Sequence, residues 1–226
     1  MPLRPQWAEQ LVIRTLSPIT DALIRARVHP NAITTLGFFV GISSAWAFAQ
    51  GQVRLAGMFI LIGGAFDIFD GRVARGTGLA STFGSFYDST LDRISEIIVF
   101  VGVLAFFLRD GSAQGDVGII YAVLLALGGS LMVSYTRARA EALGLDCKVG
   151  LMQRAERVIA LGAAALLFGT MWDSAVLRGA IILIAVLANF TAFQRIVWVY
   201  RHTRIRPGGP LPARRPDSTK FTGKRL

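Results

Sequence analysis

Six apolar stretches, each close to the length of a membrane-spanning helix, take up most of the 226-residue chain and leave few folds open to it. They run at about 32 to 49, 55 to 75, 84 to 108, 117 to 138, 152 to 171 and 176 to 200, separated by Gly-rich or charged turns. A hydrocarbon core of about 30 Å takes about 20 helical residues per crossing. Six crossings therefore take up more than half of the chain and, with their connections, leave little length for a soluble domain. The composition agrees, at 53% hydrophobic, 17% charged and mean hydropathy +0.53, against about 25% charged residues in an average soluble domain. The expected fold is an all-α integral membrane protein of six transmembrane helices, preceded by a short cytoplasmic interfacial amphipathic segment.

The formal net charge of +10 would suit nucleic acid in a soluble protein, but in a chain this apolar the placement of the charge decides. With both termini on the cytoplasmic side, Arg14, Arg25, Arg27, Arg72, Arg75, Arg93, Arg137, Arg139, Arg154, Arg157, Arg195 and the tail from Arg201 all fall inside. Arg54, Arg109 and Arg178 fall outside. This asymmetry follows the positive-inside rule and points to a multi-pass protein of the cell membrane, with no nucleic-acid partner.

Three segments are expected. Residues 1–30 mix apolar side chains with Arg14, Asp21, Arg25 and Arg27, as an interfacial amphipathic segment does, and no secretory signal is read in them. Ser17 before Pro18 predicts a fresh helix start, hence two short helices, and Asn31 is placed to cap the first span. Residues 31–200 form the membrane domain. Residues 201–226 are a flexible basic tail rich in Pro, Gly and Arg, drawn to anionic lipid. Gly37 and Gly41 make a Gly-x-x-x-Gly pair suited first to packing within the chain. Cys147 is the single cysteine, which excludes an intrachain disulfide, and His29 and His202 lack ligand-like spacing.

Carboxylates inside a bilayer are costly and mark function by default. Asp67 and Asp70, spaced i, i+3, share a helix face near the end of the second stretch, and Asp88 and Asp92, spaced i, i+4, share one early in the third. The two stretches are joined by a short loop, so the acidic faces can meet. Asp67 lies eight residues before Arg75 and Asp92 eight after Gly84, about 12 Å below the cytoplasmic surface at 1.5 Å per residue. Four gathered carboxylates repel one another and lose hydration, a conflict that divalent cations remove. All-oxygen ligands suit Mg²⁺, Mn²⁺ or Ca²⁺, and paired ions can clamp a phosphoryl group. Gly71 and Ala74 leave room for a nucleotide, Arg75 is placed to meet phosphate, and Gly76, Gly78 and Ser81 make a donor-rich connection. A cation or proton pathway is the competing use of such carboxylates.

The pattern Asp67-x-x-Asp70-Gly71-x-x-Ala74-Arg75, eight residues, then Gly84-x-x-x-Asp88-x-x-x-Asp92 resembles the complete signature of the CDP-alcohol phosphotransferase family. The resemblance implies that Asp67, Asp70 and Asp88 hold two Mg²⁺ or Mn²⁺ ions, and that Asp92 completes the metal site and acts as general base. It further implies that Asn31, Ala32, Ile33, Thr34, Gly71, Ala74, Arg75 and Ser81 bind a CDP-diacylglycerol-type lipid, and that the protein is a homodimer. The reaction it implies is displacement of CMP by an alcohol hydroxyl.

Arg137, Arg154, Arg157 and Arg195 lie at the cytoplasmic ends of the last three stretches and suit an acceptor that carries its own phosphate. Their setting, Arg137-Ala-Arg139-Ala-Glu141, Arg154-Ala-Glu156-Arg157 and Gln194-Arg195, resembles the phosphatidylinositol-phosphate synthase branch and its archaeal ether-lipid relatives. That implies inositol 1-phosphate as acceptor, with glycerol 3-phosphate, serine or free inositol as alternatives. The branch often carries lysine where Arg137 stands, which alters reach and hydrogen-bond geometry.

Overall fold

The computed structural model describes residues 6–109 and 117–204, with backbone only for 6–14 and 204. Residues 201–204 of the expected basic tail at 201–226 continue the last helix; the rest of that tail, the first five residues and the loop at 110–116 lie outside the described residues.

Among those residues every regular element is helical. The first helix, α1 (Gln6–Arg25), runs through Pro18 without interruption, so the expected pair of short helices is a single one. Proline removes one N–H from the ladder, but the turn that contains it keeps a local bond, the Thr20 hydroxyl donating to the Leu16 carbonyl at 3.0 Å. Arg27, at φ 52°, then turns the chain.

The second helix, α2, spans Pro30–Ala49, and its cap is His29 rather than Asn31. Pro30 has φ preset and no N–H to lose, so it fits the first helical position and moves the cap one residue upstream. The Asn31 amide donates to His29 Nδ1 at 3.2 Å.

The small side chains of α2 let its neighbours approach. A Cβ on Gly37 would lie 2.8 Å from Phe66 Cβ on α3 (Val53–Thr77), and one on Gly41 3.3 Å from Ser95 Oγ on α4 (Thr82–Arg109). Further along, a Cβ on Gly102 of α4 would meet the Ala45 carbonyl at 2.6 Å. The Gly-x-x-x-Gly pair thus serves packing inside this chain. Helix α5 (Val117–Ala142) lies against α7 (Met171–Arg204), which is kinked near its start by the positive φ of Trp172, Asp173 and Ser174; past the kink, Asn189 Nδ2 donates to the Leu125 carbonyl at 2.9 Å.

The fifth apolar stretch is divided: α6 covers Arg154–Ala163 and continues as a π-helical turn, Ala164–Phe168. That turn packs on α3 where Gly57 has no side chain. Phe48, Val103, Val123, Leu177, Ile181 and Ile184 fill the core between helices. Among the described residues three helices are long and apolar enough to cross a membrane: Pro30–Ala49, Val117–Ala142 and Met171–Thr203. Of the other expected spans, α3 and α4 carry the charged residues of the site, and α6 is short.

Candidate active site

Helices α3 and α4 bring their acidic faces together as their spacing predicts. One carboxylate oxygen each from Asp67, Asp88 and Asp92 lies within 4.8 Å of the other two. Asp70, the fourth expected ligand, stands outside this group. It is buried and accepts a 2.7 Å hydrogen bond from the Thr34 hydroxyl on α2. Thr34, expected to touch the lipid nucleotide, is thereby a partner of Asp70. Ile33 packs against Phe69 and Val73, so its side chain belongs to the core.

The cluster suits a divalent cation. Its donors are all carboxylate oxygens, and Asp88 Oδ1 is buried with no hydrogen-bond partner, a costly condition for an anion unless a cation meets it.

Arg154, at the first turn of α6, bridges this cluster. Its Nη2 lies 2.9 Å from Asp67 Oδ2, and its Nη1 contacts Asp92 Oδ2. The structure therefore places Arg154, expected from sequence at the acceptor phosphate, on the carboxylates.

Two signature glycines have identifiable neighbours. A Cβ on Gly71 would lie 3.4 Å from Arg75 Nη1, so the bare backbone lets the guanidinium fold back over the helix. A Cβ on Gly84 would lie 3.1 Å from Ser81 Oγ and 3.3 Å from Asn31 Oδ1, and the Gly84 amide donates to Ser81 Oγ at 2.9 Å. Asn31 and Ser81, assigned from sequence to one ligand, thus converge on the start of α4. A cavity of about 1230 Å³ opens beside the cluster, walled by Thr20 and Asp21 of α1, Asp67, Asp70, Gly71 and Arg75 of α3, Asp88 and Asp92 of α4, and Arg154. It exceeds the usual size of a small-molecule pocket.

The remaining expected acceptor arginines are held by protein groups. Arg157, 3% exposed, gives Nε and Nη2 to the two oxygens of Glu96 at 2.7 and 3.2 Å, and Nη1 to the Met152 carbonyl at 3.2 Å. Arg195 donates from Nε to the Val149 carbonyl at 2.8 Å and from Nη1 to that of Val133. Arg137 pairs with Glu141 at 2.8 Å on the exposed end of α5. Arg195 nonetheless lies within Coulombic reach of Arg137 and Arg157, so the three charges share one region.

Two residues escaped the sequence reading. Glu96 is the next i+4 step after Asp88 and Asp92, and that spacing could have found it. Arg93 follows Asp92 and looked like one more positive-inside anchor. Its Nη1 is buried without a partner.

The sequence model described as CDP-alcohol phosphatidyltransferase matches residues 27–192. The archaetidylinositol phosphate synthase of Methanothermobacter thermautotrophicus is 37% identical over 194 residues, 86% of this chain and 93% of its own. The phosphatidylinositol phosphate synthase of Mycobacteroides abscessus is 34% identical over 184 residues, 80% of this chain and 81% of its own. The crystal structure of the Mycobacterium tuberculosis phosphatidylinositol phosphate synthase with CDP-DAG bound superposes with a TM-score of 0.72 at 31% identity, covering 83% of this chain and 94% of that one. The same enzyme in complex with manganese and citrate also gives 0.72 at 31% identity, covering 81% and 88%.

Proposed function

We propose, from the premise that this chain belongs to the CDP-alcohol phosphatidyltransferase family, that it moves a phosphatidyl-type group from a CDP-linked lipid to inositol 1-phosphate and releases CMP. The observation that carries this reading is the meeting of Asp67, Asp88 and Asp92 beside the 1230 Å³ cavity, with a region of arginine charge on the same side. The names of the relatives from Methanothermobacter and Mycobacteroides support inositol phosphate as acceptor, and between them leave the lipid as ether or ester.

Asp67, Asp88 and Asp92 would hold Mg²⁺ or Mn²⁺, as a pair of ions if Asp70 joins them by giving up Thr34. When bound, such cations offset the negative charge of a phosphoryl group in transfer. The chain's own residues do the rest. Gly71 and Arg75 border the donor's place in the cavity, where a guanidinium beside a phosphate makes charge-assisted hydrogen bonds. An Asp92 carboxylate oxygen takes the proton of the acceptor hydroxyl, whose oxygen bonds to the lipid-bearing phosphorus as the bond to CMP breaks. Positive side chains around the acceptor hold its phosphate so that the hydroxyl, not the phosphate, faces the donor.

The protein is read as a six-span, multi-pass membrane protein with the site and both termini facing the cytoplasm, α1 lying at the interface, and two copies forming a dimer. Support for lipid exposure comes from the large apolar side chains turned outward, among them Leu36, Phe39 and Trp46 of α2, Tyr121 and Leu125 of α5, and Val186 and Phe193 of α7.

The deciding experiment supplies purified protein in nanodiscs with labelled CDP-diacylglycerol or CDP-archaeol, Mg²⁺ or Mn²⁺, and inositol 1-phosphate, glycerol 3-phosphate, inositol or serine. Inositol 1-phosphate should give the highest kcat/KM. CMP release with none of these acceptors, together with cation flux in liposomes lacking CDP-lipid, would overturn the enzymatic reading.

A further inference from the structure

The polar side chains of α4 form a stripe whose members have different partners. At about 100° per residue, Asp88, Asp92, Glu96 and Arg93 follow one another around about 140° of the helix. Asp88 and Asp92 stand with Asp67 in the carboxylate cluster. Glu96 holds Arg157 through both carboxylate oxygens. Arg93 ends the stripe, and its Nη1 is buried with no partner.

The neighbouring guanidiniums are occupied. Arg154 spans Asp67 and Asp92, Arg157 is held by Glu96 and the Met152 carbonyl, Arg195 by two carbonyls, and Arg137 by Glu141. Arg93 sits between the two groups of charge. Asp67 and Asp88 lie within its Coulombic reach on one side, and Glu96, Arg137 and Arg157 on the other.

A buried cationic N–H without an acceptor is costly, and several guanidiniums in mutual reach repel. Both costs are relieved by one ligand, a phosphate monoester dianion, whose oxygens can accept from Arg93 while its charge offsets the others. A neutral polyol offers no charge to do this. A carboxylate carries a single negative charge, against two on the monoester, and offsets the arginines less.

We propose that Arg93 binds the phosphate of the acceptor at the boundary between the carboxylate cluster and the arginine region, and so selects a phosphorylated alcohol over a free one. This assignment rests on the acceptor reading given above. Arg93 fixes where the phosphate sits relative to Asp92, its neighbour on the chain, and hence which hydroxyl reaches the base.

The test compares wild type with Arg93→Gln and Arg93→Lys in nanodiscs, reading kcat, both KM values, and direct binding of inositol 1-phosphate and of CDP-diacylglycerol by calorimetry. Loss of one charge-assisted donor should raise the KM and Kd for inositol 1-phosphate about tenfold or more in Arg93→Gln, with kcat changed far less. The KM for CDP-diacylglycerol should be unchanged, and Arg93→Lys should recover part of the loss. An unchanged acceptor Kd, or a loss falling on CDP-diacylglycerol instead, overturns the assignment while the wild-type reaction stands. Equal defects in the Lys and Gln variants, accompanied by a lowered thermal midpoint, assign Arg93 a structural role and overturn it too. Wild-type preference for free inositol over inositol 1-phosphate overturns the acceptor reading and this inference together.

Discussion

Glu96→Gln should destabilise the protein far more than an equivalent change at its surface. Arg157 and Glu96 form a two-bond fork at 2.7 and 3.2 Å, with side chains only 3% and 11% exposed. The remaining bond from this guanidinium, to the Met152 carbonyl at 3.2 Å, carries no compensating charge. A glutamine keeps the shape but offers one acceptor oxygen and turns an amide N–H₂ toward the second donor. The buried positive charge then stands alone, and breaking one side of a buried pair costs about 3 to 5 kcal/mol.

The same chain contains a control. Lys148 and Asp146 also touch, at 2.6 Å, but with side chains 70% and 65% exposed, so Asp146→Asn should cost no more than about 1 kcal/mol. Both variants can be titrated with SDS in bicelles under conditions where refolding is complete. The volume-matched double change Glu96→Leu with Arg157→Met removes both charges and should recover most of the loss, since an apolar pair avoids the desolvation of two ions. If Glu96→Gln loses no more than Asp146→Asn, or if the double variant is no more stable than the single, Arg157 is not held as described and its charge is free for another partner.

Three further outcomes are expected. Asp92→Asn should keep CDP-lipid binding but lower turnover by about 10²- to 10⁴-fold, the usual contribution of a general base; near-normal turnover would exclude Asp92 from that role. Because Arg154 places its positive charge on Asp67 and Asp92, Arg154→Gln should raise Mn²⁺ affinity measured by electron paramagnetic resonance and lower the thermal midpoint in EDTA, and no change in either would disprove its action as a counter-ion. A Cβ on Gly57 would meet the Gly162 carbonyl at 2.7 Å, whereas one on Gly179 meets nothing within 4 Å. Gly57→Ala should therefore cost about 1 to 3 kcal/mol by forcing the helices apart, while Gly179→Ala should gain up to about 1 kcal/mol of helix propensity, and a matched loss in both thermal midpoints would show that packing at Gly57 is loose.

The helix plan was legible from sequence because apolar runs and turn residues act locally. The stretch read at 32 to 49 is a helix at Pro30–Ala49, that at 84 to 108 one at Thr82–Arg109, and that at 176 to 200 falls inside Met171–Arg204. Local rules failed where two of them competed. At Pro30 the preference of proline for the first helical turn displaced the expected cap from Asn31 to His29, and at Pro18 the helix continued through a residue that often ends one. The π-helical turn that follows α6 had no local signal, since it lies where the chain meets Gly57 of α3.

For the site, helical spacing alone determined that Asp67 shares a face with Asp70 and Asp88 with Asp92, because 3.6 residues per turn is a property of the backbone. Which of them meet was decided only by the rotation and approach of α3 and α4 in the fold. Asp70 finds Thr34, 36 residues earlier, while Asp67, Asp88 and Asp92 converge. The arginines show the same division. Their number stands in the sequence, yet Arg154 lies on carboxylates, Arg157 on a glutamate 61 residues away, and Arg93 retains a buried, unmet donor. A long charged side chain can reach several partners within a few ångströms, so its role is set by what tertiary packing puts beside it.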